Sequence, residues 1–208
     1  MIELPPCPLL IVVSGPSGVG KSTLCDRLVK ERPRTVYSIS CTTRPPRAGE
    51  VDGREYHFLS EDEFARRVDA GEFAEHAVVH GARYGTLAET LRSEAVRGHD
   101  VVMDIDVQGA AQLRSRMAAP DARSVWPGAY LDVFIAPPTW DELADRLRGR
   151  ATDGDDVIAR RLDRARAELD RWSEYQYLIV NREREDSYRQ LDAVLTAESL
   201  RVREGDRP

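Results

Sequence analysis

One octapeptide constrains the fold of this chain more than any other part of it. Gly15-Pro16-Ser17-Gly18-Val19-Gly20-Lys21-Ser22 lies directly between an unbroken apolar run, Leu9 to Val13, and a helix-forming stretch, Lys21 to Glu31. Strand, glycine-rich turn and helix in that order open a βαβ unit, so the sheet is predicted to be parallel. The G-x-x-x-x-G-K-S spacing also has a chemical reading. Its glycines let backbone amides turn inward around a triphosphate, and the helix presents its positive N-terminal end to the same place. Lys21 then reaches the β- and γ-phosphates, and Ser22 is placed to ligate Mg²⁺.

The rest of the chain continues the alternation. Val36 to Ile39, Val101 to Ile105, Tyr130 to Ile135 and Tyr177 to Val180 read as further buried strands. Helices are predicted at Val107 to Met117, Thr139 to Leu147, Asp155 to Trp172 and Arg184 to Glu198. In the Asp155 helix, Ile158, Leu162, Ala165 and Leu169 share one face, which predicts docking on a core. A chain of 208 residues suits one such core with small insertions better than two large domains. The expected fold class is therefore α/β, a three-layer parallel sheet carrying an inserted subdomain and a small mobile lid.

Two segments break the rhythm. From about residue 42 to 98 the chain opens with prolines and glycines, has a strand signal at Tyr56 to Leu59, and starts a helix with the capping box Ser60-Glu61-Asp62-Glu63. This is read as the inserted subdomain. Gly149 to Asp156 is polar and glycine-containing between two helices and is read as a flap, so the lid spans about 137–163. The core then comprises about 1–41, 99–136 and 164–208. Ala118 to Gly128, with two prolines and a lone Trp126, reads as an exposed loop.

Charge and composition exclude several classes. A net charge of −6 argues against nucleic acid as the main partner, because a phosphate-backbone footprint needs a basic surface. Leu9 to Val13 is too short to span a bilayer, and Met1 to Pro8 lacks the basic start of a secretion signal, so no membrane partner is expected and the cytoplasm is the default. Cys7, Cys25 and Cys41 form no paired framework and read as reduced thiols. His57, His76, His80 and His99 have no metal-ligand spacing.

Acids and arginines gather where phosphate chemistry needs them. Asp104 and Asp106 close the strand Val101-Val102-Met103-Asp104-Ile105-Asp106, where ligands of open α/β sheets collect; sharing a strand face, either is a metal-binding acid or a cap for the next helix. In Ser40-Cys41-Thr42-Thr43-Arg44-Pro45-Pro46-Arg47, two guanidinium groups held near a stiff proline pair suit a monophosphate. Arg146, Arg150 and Arg161 flank the flap; each reads either as part of a solvated helix face or as a phosphate ligand.

Taken together these residues resemble a guanylate kinase. The resemblance rests on the octapeptide, on Ser40 to Arg47, on Gly49-Glu50-Val51-Asp52-Gly53-Arg54-Glu55-Tyr56, on Glu75, on Tyr84-Gly85-Thr86, on the Asp104 to Gly109 run and on Arg146 to Arg150. It covers nearly the whole chain. It implies that Gly15, Pro16, Ser17, Gly18, Val19, Gly20, Lys21, Ser22 and Thr23 hold ATP, with Asn181 on the adenine side. It implies that Arg44, Arg47, Tyr56 and Tyr84 hold the GMP phosphate, that Ser40, Glu75, Thr86 and Asp106 surround the guanine, and that Glu50 belongs to the same site. Lys21, Arg44, Arg146, Arg150 and Arg161 are the implied catalytic set, and Ser22 with Asp104 the implied Mg²⁺ ligands. The expected partners are ATP and GMP, with dGMP as a further acceptor, and the expected assembly is a monomer or small homo-oligomer.

Guanine chemistry agrees with one of these assignments. Its N1–H and N2–H donors can both be accepted by a carboxylate, whereas adenine presents an acceptor at N1 and would leave such an acid unpaired. Glu75 is the expected reader; from local sequence alone it reads equally as an acid on a half-exposed strand. The chain departs from the family pattern in a longer Ala118 to Gly128 loop, Arg182 after Asn181, Ala151 in the flap, and Thr86 where serine is more frequent. Two rival readings are a non-catalytic relative binding phosphorylated peptides and a kinase for a different phosphorylated acceptor such as a phosphorylated ribose.

Overall fold

A computed structural model describes residues 7–79, 81–148 and 155–202. In chain order the first half contains β1 (Leu9–Ser14), α1 (Lys21–Glu31), β2 (Thr35–Tyr37), β3 (Cys41–Thr42), β4 (His57–Phe58), α2 (Glu61–Asp69), β5 (Phe73–Val79), β6 (Ala82–Leu87) and α3 (Ala88–Val96). The second half contains β7 (Asp100–Asp104), α4 (Val107–Met117), β8 (Ala129–Ala136), α5 (Trp140–Arg148), α6 (Asp155–Leu169), β9 (Tyr177–Val180) and α7 (Arg184–Ser199).

Five strands form one sheet in the order β2-β7-β1-β8-β9, every neighbouring pair parallel. Strand periodicity explains the three layers. Leu9, Ile11 and Val13 of β1 point to one face, where they pack with Leu24, Cys25 and Leu28 of α1 and with Tyr188, Leu191 and Leu195 of α7. Leu10 and Val12 point to the other, against Leu91 of α3 and Ala110 and Leu113 of α4. β1 is thus buried on both faces and both edges, which is why it reads as a continuous apolar run. The expected parallel α/β core is therefore present. Because the chain runs outward from β1 first toward β2 and later toward β8, the strand order reverses at β1, and a crevice opens beyond the carboxyl ends of β1 and β7.

A second sheet, β4-β3-β6-β5, lies in the segment between β3 and β6. Its β3 and β4 are parallel, the other pairs antiparallel, and a bulge falls between Phe73 and Glu75. α2 starts where the capping box predicts, Ser60 Oγ accepting from the Glu63 N–H at 3.1 Å. Phe64 of α2 stacks on Phe73 of β5 with ring centroids 4.4 Å apart, giving this sheet a small core of its own.

Three expectations need correction. The Ala118 to Gly128 stretch is not a simple exposed loop. Trp126 is 1% exposed, packs into the α3/α4 side of the core and donates its indole N–H to the carbonyl oxygens of Ala129 and Pro8. An indole with its one donor satisfied is a good plug for a sheet end, whatever the polarity of its neighbours. The Asp155 helix stops at Leu169 rather than Trp172, and a 3₁₀ turn follows at Trp172–Glu174. Its apolar face meets α5 through Leu143, Leu147 and Ala165, a cluster separate from the main core. Third, β7 ends at Asp104, so Asp106 is not on the strand but caps α4. The free thiols of Cys7, Cys25 and Cys41 are as expected. Among the described residues, no helix is long and apolar enough to cross a membrane.

Candidate active site

The crevice holds a cavity of about 650 Å³, a size suited to small-molecule ligands. Its lining joins the octapeptide turn (Gly15, Ser17, Gly18, Gly20, Lys21, Ser22, Thr23) to Ser40, Arg44, Arg47, Glu50, Tyr56, Glu75 and Tyr84 of the second sheet and its loop. Asp104, Asp106 and Arg161 complete the set brought together from the expected residues.

At one end, α1 begins without protection. Its N-cap is Gly20, no side chain caps it, and no acid occupies its first turn. Unpaired N–H groups and the positive end of the helix therefore face the cavity, a ready site for an anion. Gly20 sits at φ +101°, and a Cβ there would come within 2.6 Å of Asn181 Nδ2. That amide donates to the Val19 carbonyl at 2.7 Å, so Asn181, at the end of β9, braces the turn from behind. Asn181, Pro16 and Val19 do not line the cavity. Lys21 Nζ donates to the Gly15 and Pro16 carbonyls at 2.8 and 3.2 Å and lies 3.8 Å from Asp104.

Ser22 Oγ donates to Asp104 Oδ2 at 2.7 Å. The described residues contain no cluster of three His, Cys, Asp or Glu side chains able to hold a metal. One hydroxyl and one carboxylate opening onto an anion-binding turn fit Mg²⁺, which is bound through few protein oxygens together with phosphates and water, and do not fit a structural zinc site.

Opposite this end, Thr42 and Thr43 pin the arginine loop to β6. Thr42 Oγ1 donates to the Arg83 carbonyl and accepts from the Arg44 N–H, and Thr43 Oγ1 accepts from the Arg83 N–H. Arg44 Nη2 donates to both oxygens of Glu50, at 2.9 and 3.0 Å, and Glu50 also accepts from the Arg47 N–H at 2.7 Å. Those contacts with Arg44, then Arg47, hold the Glu50 carboxyl below its usual range. Glu50 thus orients the Arg44 guanidinium and pins the backbone at Arg47. Tyr56 lies edge-on to Tyr84 with centroids 5.8 Å apart, and the Arg44 guanidinium lies 5.5 Å from the centroid of the Tyr56 ring. Burial, then the neighbouring Tyr84, pushes the Tyr56 phenol up.

Between the two ends sit the acids. Glu75 is not a half-exposed surface acid; it is 4% exposed, and burial first, with the Asp106 charge adding to it, raises its carboxyl to about 7 despite a hydrogen bond with Thr86. Thr86 is fully buried behind it and shares a 3.1 Å hydrogen bond with Ser40. Asp106 Oδ1 caps α4 by accepting from the Gly109 N–H at 2.9 Å, which bears out the capping alternative for this acid. A Cβ on Gly109 would lie 2.5 Å from Glu75 Oε2 and 3.5 Å from Asp106 Oδ1, so the two carboxylates converge where that residue has no side chain.

On the remaining wall, α6 presents Arg161, Arg164, Ala165 and Glu168, an i, i+3, i+4, i+7 stripe. Arg164 and Gly109 were not singled out from sequence. The stripe spacing from Arg161 was the available signal for Arg164, and the glycine amid a helix-forming run the signal for Gly109. Arg146 stays outside the cavity lining, its guanidinium 3.4 Å from Glu142 one turn back on α5. Arg150 and Ala151, with the flap as far as residue 154, lie outside the described residues.

Comparison with known proteins agrees with this geometry. The family model described as guanylate kinase matches residues 8–198. A guanylate kinase from Geobacter metallireducens is 46% identical over 93% of this chain and 91% of its own length. Another, from Oleidesulfovibrio alaskensis, is 49% identical over 92% of this chain and 88% of its own. The crystal structure of guanylate kinase from Anaplasma phagocytophilum superposes with a TM-score of 0.73 at 30% identity, covering 96% of this chain and 90% of that one. A glycine turn at an uncapped helix start, sharing one cavity with a pair of arginines and a buried acid, on this topology and with these relatives, means that the chain belongs to the guanylate kinase family.

Proposed function

We propose that this protein transfers the γ-phosphoryl group of Mg-ATP to GMP, giving ADP and GDP, with ATP on the Lys21 side of the cavity and GMP on the Arg44 side. The single observation that carries the reading is the shared cavity that joins the bare α1 N-terminus to Arg44, Arg47 and Glu75. The segment at about 42–98 receives GMP, and the segment at about 137–163 closes over the pair. Cytoplasmic residence, where both nucleotides are made and used, suits the activity.

No general base is needed, because an oxygen of the GMP phosphate is already ionised near neutral pH. The residues position two anions and exclude water. Lys21 leaves the Gly15 and Pro16 carbonyls and follows the β- and γ-phosphates, while the amides of the turn hold them from beneath. Arg44, its guanidinium oriented by Glu50, and Arg47, its backbone pinned by the same acid, grip the acceptor phosphate with the Tyr56 and Tyr84 hydroxyls. Glu75 accepts from N1–H and N2–H of guanine. Arg161, with Arg146 and Arg150 of the lid, neutralises charge spreading over the group in flight. Ser22 and Asp104 would hold Mg²⁺ beside the ATP phosphates, and the ion would supply the remaining charge neutralisation. Water exclusion by the lid prevents ATP hydrolysis.

The test is ADP release from Mg-ATP with GMP, dGMP, AMP, CMP and UMP in turn. Turnover with GMP well above AMP is expected, and Lys21→Ala should lower it roughly a hundredfold or more with the fold intact. No ADP release with GMP would reject the reaction, and a better response to a phosphorylated ribose would favour that alternative acceptor.

A further inference from the structure

Arg164 occupies a position the reaction itself does not explain. It stands on α6, one turn beyond Arg161 and on the same cavity wall, yet its guanidinium is taken up by two carboxylates. Nη2 donates to Asp106 Oδ2 at 3.0 Å, and Nε donates to Glu168 Oε1 at 2.8 Å. The first contact joins α6 to the N-terminus of α4 across 58 positions of sequence. Among the described residues the ion-pair partner of Asp106 is Arg164, and Gln108 Nε2 adds a longer neutral contact at 3.4 Å.

Three facts give this contact a purpose. The Watson–Crick edge of guanine carries three N–H bonds, one on N1 and two on the 2-amino group, and a single carboxylate facing it accepts one from each nitrogen. The third needs a second acceptor or is left unpaired in a buried site, which is costly. Glu75 and Asp106 converge on the same point beside Gly109 and therefore repel one another when both are ionised. A guanidinium hydrogen-bonded to Asp106 Oδ2, while Oδ1 caps α4, fixes that outer oxygen and leaves it a further acceptor position.

We propose that Arg164 is a specificity-determining positioning residue, holding the outer oxygen of Asp106 as the second acceptor, beside Glu75, for the 2-amino group of guanine. This deepens the reading above and rests on it, since it takes Glu75 and Asp106 as the base-reading acids. Arg164 touches neither the transferring phosphoryl group nor, directly, the base.

The proposal separates two nucleotides differing only in that amino group. kcat/KM is measured for GMP and for inosine monophosphate, which lacks it, in the intact protein and in Arg164→Ala and Arg164→Gln. Arg164→Ala should lower kcat/KM for GMP about tenfold, mainly through KM, and change the inosine value less than about twofold. Arg164→Gln, which keeps a donor without the charge, should fall between. A parallel loss for both nucleotides would mark a structural or lid role and overturn the proposal, as would an unchanged GMP value. Should Arg164→Ala fold poorly, Asp106→Asn and the Asp106→Asn/Arg164→Gln pair serve instead. In the pair the second change should add nothing to the loss of GMP selectivity, and additive losses would overturn the coupling. Absence of any GMP turnover in the unmodified protein would instead reject the reaction, and this role with it.

Discussion

Glu75 is the residue whose environment makes the sharpest demand on solution conditions. An acid raised from 4.5 to about 7 by burial is neutral in the folded protein over a range where the unfolded chain is already ionised. Its contribution to stability therefore falls as pH rises from 4.5 to about 7 and is level above that. Base reading runs the other way, since only the carboxylate accepts two N–H bonds. The KM for GMP should rise as pH drops below about 7, more steeply than the ionisation of the nucleotide phosphate accounts for, and Glu75→Gln should remove the excess. A pH profile of KM for both forms checks this; superimposable profiles would contradict it. Gly109→Ala tests the same spot sterically. Its Cβ would meet Glu75 Oε2 at 2.5 Å, so the KM for GMP should rise on the order of tenfold, while the KM for ATP, bound at the other end, stays near its starting value. Glu75 itself was legible only through family resemblance, because its strand β5 mixes buried and exposed positions around a bulge. Arg164 escaped because its partner, Asp106, is remote in sequence.

At the level of elements, the segments with a clean period were the readable ones. α1, α4 and β9 carry the expected bounds residue for residue, because apolar spacing, helix starts and flanking turns agree there. α3 and β6 were not foreseen, and β5 only as a half-exposed strand of unstated bounds around Glu75, since short mixed strands owe their existence to a partner across the sheet more than to their own pattern. Trp126 shows the opposite failure: a segment composed like a surface loop carries one indole that closes the end of the core. Trp126→Ala should destabilise the fold by about 3–5 kcal/mol, measurable by urea denaturation, with kcat near the parent value in the folded population. Asp132 of β8 is fully buried and accepts from Arg114 Nε at 2.7 Å. Arg114→Met, leaving that carboxylate without its counter-charge, should cost about 3–5 kcal/mol in the same measurement, whereas an effect below about 1 kcal/mol would show the pair to be solvent-screened.

Across the whole molecule, the arrangement joins two half-sites from separate sheets in one crevice at the reversal point of the parallel sheet. A compound linking adenosine and guanosine through a phosphate chain should then raise the melting temperature more than ATP and GMP together at equal concentration, because one binding event fills both halves. Equal shifts would mean that the halves do not face each other. The order of strands also bears on how the protein is born. β1 precedes everything that covers it: its edges pair with β7 and β8, which begin at Asp100 and Ala129, and the turn after it is braced by Asn181. A ribosome must therefore release the chain beyond Ala136 before the central strand is shielded on both edges, so the nascent polypeptide carries a bare, sticky ribbon until then. Chaperone demand should peak before Asn181 emerges, and a chain truncated ahead of β9 should fail to retain nucleotide however complete its glycine turn.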